Sequence, residues 1–299
     1  MSFILTLVTS QMFFADGFLS GIEYILDEGR ARVEDRRELA MNRAMDFILT
    51  DTLTEETWHK VSDLCDQAKV DRFFQENVGR RRKRLLMADM DSTIVTTETL
   101  DEVAGRFGLG EKVSEITARA MRGELDFKSS LRERMALLAG ADARQLEIVR
   151  EDMVLSTGAR ALIATMKAHS GMCVLVSGGF TFFTGHVAKL CGFDHHHGNI
   201  MQIEGGQITG HLVEPVLDRS AKLTLMGEYC TKYRCKPEDV LAIGDGANDR
   251  DMIVAAGLGI GFHPKGALLE ATHNHIRYGD LTAALYAQGY HENEIKKLF

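Results

Sequence analysis

The sequence predicts an α/β protein: a parallel sheet with helices on both faces, carrying an inserted helical subdomain and preceded by a small α+β unit. Three observations predict it. Strands and helices alternate regularly from Met172 onward. Residues 1–80 read as a separate run of short elements. The long stretch between the apolar strands at Leu85 and Met172 is helical in pattern throughout.

The N-terminal run reads as strand Phe3 to Val8, helix Phe18 to Leu26, strands near Arg32 to Leu39 and Met45 to Thr50, helix Glu55 to Ala68, and strand Asp71 to Gln75. That order, βαββαβ, fits a ferredoxin-like domain, and by length and position the unit resembles small regulatory domains of the ACT type. Regulation or assembly is its expected work, a homodimer being the assembly considered. The run Gly79-Arg80-Arg81-Arg82-Lys83-Arg84 marks the boundary. It reads as a solvated linker in preference to an anion-binding patch. The expected domains are therefore 1–80 and 81–299.

After the short strand Leu85 to Ala88, the helical patterns are Thr99 to Phe107, Val113 to Met121, Phe127 to Leu138, Ala143 to Met153 and Ala159 to Ala168. Roughly a dozen residues suffice for a simple crossover, so the excess implies a helical cap inserted at about 97–156. Ligands of open α/β sheets bind at the carboxyl ends of the strands, which places that cap as a lid. From Met172 to Val176 the pattern continues with helices Phe183 to Leu190 and Ser220 to Tyr233. Strand Val240 to Ile243, helix Asp249 to Ala256, strand Leu258 to Phe262 and helix Ala267 to Ala271 complete it. A hairpin is expected over Ile200 to Ile208, turning at Gly205-Gly206. The core from Leu85 is expected to close its own sheet.

Composition narrows the function classes. With 299 residues, 45% hydrophobic and 26% charged, the chain holds enough apolar matter for two cores. A net charge of -8 excludes a nucleic-acid surface spread over the whole molecule. The five cysteines are scattered, without CxxC or zinc spacing, and read as reduced packing thiols. No basic stretch precedes the apolar N-terminus and Asp16 interrupts it, and no segment offers the roughly 18 apolar residues of a span. A cytoplasmic protein without membrane or nucleic-acid partners is expected.

Chemistry concentrates in four places. Asp89 and Asp91 follow the Leu85 strand two residues apart, a spacing that lets both carboxylates meet one substrate atom. Ser177-Gly178-Gly179 follows the next strand and offers a hydroxyl and open amides to a phosphate. Lys222 stands just inside a helix. Gly244-Asp245-Gly246-Ala247-Asn248-Asp249 turns after a third strand with two more carboxylates. Converging carboxylates beside a phosphate cradle point to covalent phosphoryl chemistry. Alone, a Gly-Gly pair is a turn and an Asp-x-Asp a solvated loop; here they occur together and in order. His195-His196-His197 invites a metal reading, but three consecutive rings do not face one ion, so these residues are expected in a loop before the hairpin.

In order and content these four clusters resemble the motifs of the haloacid dehalogenase superfamily, from Leu85 to about Ala284. Inside it the chain is similar to phosphatases of phosphorylated amino acids, O-phospho-L-serine above all, which complete serine synthesis. The resemblance implies Asp89 as nucleophile and Asp91 as general acid and base. It implies Mg²⁺ held by Asp89, the Asp91 carbonyl and Asp245, with Asp249 in support. Ser177, Gly178, Lys222 and Asn248 would bind the phosphoryl oxygens. Glu98 would take an ammonium and Arg134 a carboxylate, with Met121 and Phe127 closing over them. Aspartate at 91 favours phosphatase or phosphotransferase, since a dehalogenase needs no acid there. Two alternatives stand beside this: transfer to another small acceptor such as homoserine, and an amino-acid sensor with a vestigial catalytic half.

Overall fold

The computed structural model describes residues 2–121 and 124–297. The elements run β1 (Phe3–Thr9), α1 (Phe18–Glu28), β2 (Val33–Ala40), β3 (Ala44–Leu49), α2 (Glu55–Ala68), β4 (Val70–Glu76) and β5 (Leu85–Ala88). Four helices follow, α3 (Thr99–Arg106), α4 (Gly110–Met121), α5 (Phe127–Ala136) and α6 (Arg144–Glu151), then α7 (Ala159–Ala168), β6 (Met172–Phe180) and α8 (Thr181–Cys191). The chain continues through β7 (His195–Glu204), β8 (Gln207–Val213), α9 (Arg219–Lys232), β9 (Val240–Gly244) and α10 (Arg250–Ala255). It closes with β10 (Leu258–Phe262), α11 (Leu268–Ala271), β11 (His275–Ile276) and α12 (Ala283–Ala287). No helix among the described residues is long and apolar enough to cross a membrane.

The strands form one sheet in the order β2-β3-β1-β4-β11-β10-β9-β5-β6-β7-β8. From β11 to β7 the pairings are parallel. A parallel sheet buried on both faces needs apolar residues at every position, not every second one. Leu86, Ala88, Leu175 and Ile243 accordingly enter one core while Leu85, Met87, Val174 and Ala242 enter the other. The chain builds outward from β5 to β6 and β7 on one side, then to β9 and β10 on the other. The order thus reverses beside β5, which opens a crevice at the carboxyl ends there.

Residues 94–96 and 154–156 lie side by side where the chain leaves for α3–α6 and returns: Val95 bridges Leu155, Ser156 N–H donates to the Ile94 carbonyl and Thr96 N–H to that of Val154. The hairpin of β7 and β8 braces the same helices, Gly140 N–H donating to the Ile208 carbonyl and Ala143 N–H to that of Gly206.

β1 to β4 pair antiparallel, with α1 and α2 on one face. Phe18, Ile22 and Leu26 recur every four residues and meet Leu5, Leu7, Phe47 and Leu49 of the sheet. Thr54 caps α2 by accepting the Thr57 N–H, ahead of Glu55 and Glu56 in the positive first turn.

Three expectations need correction. The sheet does not close at the catalytic core. The two-residue β11, too short to read in sequence, pairs antiparallel with β4 at His275 and Arg72, while Asp71 accepts the N–H groups of Arg277, Tyr278 and Gly279. The basic run is not a solvated linker. Arg81 forks onto Asp46 at 2.6 and 2.8 Å, Arg82 onto Glu294, and Lys83 is buried with its Nζ donating to the Glu238 carbonyl. The three histidines open β7 and are not a loop. Strand alternation sends His195 to Tyr233, just past α9, and His197 to Tyr229 of α9, each at 2.7 Å, and His196 to Thr184 of α8. All five cysteines are free thiols.

Candidate active site

Asp89 emerges from the end of β5 with its N–H on the Ile243 carbonyl, in register with β9. The next residues make one tight turn, Met90–Ile94, in which Val95 N–H returns to the Met90 carbonyl and Ser92 sits at φ 53°. That turn sends the two acids different ways. Asp91 Oδ2 accepts the Ser177 hydroxyl at 3.1 Å and Oδ1 the Thr99 N–H at 2.9 Å. Ser177 in turn accepts the Gly179 N–H at 2.8 Å, which fixes its rotamer toward Asp91.

Lys222 is 1% exposed, its helix started by Asp218, which accepts the Ala221 N–H. From there Nζ donates to Asp89 Oδ1 at 2.8 Å and Asp249 Oδ1 at 2.6 Å. Asp249 reaches in only because residue 244 has no side chain: a Cβ there would lie 2.2 Å from its Cγ. Carboxylate oxygens of Asp89, Asp245 and Asp249 lie within 4.8 Å of one another, all three residues buried. Lys265 holds Asp245 from outside at 3.0 Å.

The electrostatics follow from this crowding. Burial, then the Asp89 and Glu98 charges, push Asp91 up to about 7. Burial and Asp89 raise Asp245 to about 6 against the pull of Lys265. Burial and the Asp89 charge also raise Asp249. Burial disfavours the lysine cation, yet Asp249 and Asp89 outweigh it and hold Lys222 above its ordinary value. Three buried carboxylates thus share one buried ammonium. Their all-oxygen donor set and surplus negative charge fit a hard divalent cation.

The inserted helices supply the rim. Ser92 Oγ donates to Glu98 at 2.8 Å. Burial pulls the Arg134 guanidinium down, opposed by Asp101, Glu98 and Asp91, so these four charges stand near one another. Phe127 packs on Gly178 so closely that a Cβ there would lie 2.8 Å from the ring. Asn248 places its Oδ1 beside Gly246. Met121 ends α4, and its side chain lies outside the described part of the structure.

Three contributors escaped sequence reasoning. Asn199, 2% exposed, donates to the Gly178 and Leu217 carbonyls and accepts the Leu217 N–H, tying the phosphate-cradle candidate to the loop before α9. Asn199 follows His195 to Gly198, so no apolar pattern marked it. Lys128 of α5 ion-pairs with Asp218 at 2.8 Å, linking the inserted helices to the start of the Lys222 helix. Lys265 has no motif.

Comparisons with known proteins give the family of the chain. The model of the haloacid dehalogenase-like hydrolase family matches residues 86–253, which span Asp89 to Asp249. A phosphoserine phosphatase of Archaeoglobus fulgidus is 42% identical over 196 residues, 66% of this chain and 57% of that protein, so the chain spans little more than half of that relative's length. A HAD-family hydrolase from Salmonella enterica serovar Typhi superposes with TM-score 0.83 at 26% identity, covering 96% of this chain and 98% of that one. A substrate-bound phosphoserine phosphatase superposes with TM-score 0.64 at 34% identity, covering 68% of this chain and 97% of that one. The chain belongs to the haloacid dehalogenase-like hydrolase family.

Proposed function

We propose that the protein hydrolyses O-phospho-L-serine to L-serine and phosphate through a phosphoryl group carried on Asp89. The observation that carries this reading is the pairing of two unlike acids on one turn. Asp89 accepts the Lys222 ammonium at 2.8 Å, while burial and the neighbouring acids push Asp91 up to about 7, so that it both gives and takes a proton near neutrality. Asp89 attacks phosphorus as the Asp91 proton passes to the departing serine oxygen. Asp91 then takes a proton from the water that frees Asp89. Lys222, Ser177, the Gly178 amide and Asn248 surround the transferred oxygens and neutralise them.

The acidic cluster supports Mg²⁺ as the cofactor, with Asp89, Asp245 and the Asp91 carbonyl as ligands and Asp249 in support. Bound there, the ion would screen the phosphoryl charge from the carboxylate that attacks it. For the substrate, the relatives named phosphoserine phosphatase are one support and the charge pair at the rim the other. Glu98 suits an ammonium, and Arg134, which feels the charges of Asp101, Glu98 and Asp91, suits a carboxylate. We assign the chemistry to residues 81–299, a lid to the helices between about 97 and 156, and regulation or assembly to residues 1–80.

Phosphate release across phosphorylated amino acids, sugars and nucleotides, with and without Mg²⁺, tests the substrate. Phosphoserine is expected to lead only with the metal. Arg134→Ala is expected to lower kcat/KM for phosphoserine roughly ten- to a hundredfold and to spare phosphoethanolamine, which lacks the carboxylate. Equal losses on the two substrates remove the carboxylate assignment.

A further inference from the structure

A cavity of about 600 Å³ opens between the N-terminal unit and the catalytic half. Topology puts it there. β1 is antiparallel to β4, β4 to β11, and β11 is parallel to β10, so the carboxyl end of β1 points to the same rim as the catalytic loops. Thr9 and Ser10 from that end, with Arg43 from the turn before β3, meet Ser92 and Lys265 around the space. Asp89, Ser177 and Lys222 do not line it.

The wall has the chemistry of an anion site. Arg43 supplies the guanidinium: Nη1 is 3.8 Å from Glu292, which does not line the cavity, and the buried Nε has no acceptor among the described residues. Ser10, Ser156 and Thr157 present hydroxyls without a side-chain partner among the described residues. The wall's carboxylate, Asp280, is turned into its own loop, where Oδ1 accepts the Thr282 N–H at 2.8 Å and its hydroxyl at 2.5 Å. The floor is apolar, formed by Val8, Phe262 and Ala283. A volume within the range of about 300–1,000 Å³ suits a small molecule, and a guanidinium fork with surrounding hydroxyls suits a planar carboxylate or a phosphate.

We propose that this cavity binds a small organic anion, whose carboxylate or phosphate is held by Arg43 and the hydroxyls of Ser10, Ser156 and Thr157. The occupant would also touch Ser92 and Lys265, which contact Glu98 and Asp245. The assignment of the cavity does not rest on the reaction proposed for Asp89.

Calorimetric titration of the full chain without added metal tests it, with succinate and inorganic phosphate as separate probes. At least one probe binds the unsubstituted chain, and Arg43→Ala weakens that binding about ten- to a hundredfold. Phosphate held at the Asp89 centre is insensitive to this change, so only the sensitive fraction belongs to the cavity. Sensitivity to succinate alone identifies a carboxylate ligand, to phosphate alone a phosphate ligand, and to both the shared chemistry. Circular dichroism checks folding; where Arg43→Ala does not fold, Ser10→Trp, on an exposed loop at the mouth, replaces it by filling the space. No binding, or binding of both probes at unaltered affinity in the deciding variant, overturns the site.

Discussion

Each half of the sheet buries a carboxylate against a cation, and the two pairs differ in what surrounds them. In the antiparallel half Asp46 is fully buried and meets one guanidinium, Arg81, through both oxygens, with the Thr6 hydroxyl at 2.7 Å as a further donor. Charge and hydrogen bonds balance. In the parallel half Lys222 faces Asp89 and Asp249, Lys265 holds the neighbouring Asp245 from outside, and one carboxylate remains in excess. A balanced pair joins elements and needs nothing more. An unbalanced one leaves room for a cation or a proton, and it sits where the strand order reverses.

The largest expected effect separates these acids by function. Asp89→Asn abolishes turnover, because an amide does not attack phosphorus, and Asp91→Asn lowers kcat by roughly 10²-fold or more. Asp46→Asn, at a residue buried like Asp89, leaves kcat unaltered in protein that remains folded. Steady-state rates on the three variants check this; a comparable loss from Asp46→Asn breaks the division.

Removing the cations comes next. Stranding a buried carboxylate costs about 3–5 kcal/mol, so Arg81→Ala and Lys222→Met should both lower the melting temperature substantially. They part on adding Mg²⁺. The Lys222→Met loss is expected to be partly restored, since the ion offsets the same charge, while the Arg81→Ala loss is not. Equal responses to the ion in thermal melts would contradict the contrast.

The smallest effect lies at the seam. Burial, helped by Arg277 and Arg72, lowers His275 to about 4, and its Nε2 is buried without a partner among the described residues. Between about pH 6.5 and 4 the unfolded chain therefore binds a proton that the folded chain does not. Stability is therefore lost as pH falls through that window, by up to about 1.4 kcal/mol per unit, and is unaffected by this group above it. His275→Gln is expected to flatten that slope in urea titrations at pH 7, 5.5 and 4.5; an unaltered slope removes His275 as the cause.

The same contrast explains what the sequence made legible. The parallel half announces itself because its signals are local: apolar runs such as Leu85–Ala88, each followed within a few residues by the group it presents. The order βαββαβ was likewise readable from periodicity. The seam was not, because its partners are distant in the chain. Arg81 finds Asp46 at 35 residues and Arg82 finds Glu294 at 212, so a run of basic residues looks unpaired until the fold closes. β11 is two residues long and carries no period. Asn199 and Lys265 act on Gly178 and Asp245 through contacts that no spacing encodes. Alternation places His195 and His197 on one face and His196 on the other only once the strand is known to start there.

The covalent intermediate is the most direct test of the whole account. The full chain, mixed with phosphoserine and Mg²⁺ and quenched in acid within one turnover, is expected to carry a phosphoryl group that fragmentation mass spectrometry places on Asp89. That group should disappear as phosphate is released and be absent from Asp89→Asn. Phosphate formed in the first turnover without any phosphorylated Asp89, together with continued turnover by Asp89→Asn, would contradict it.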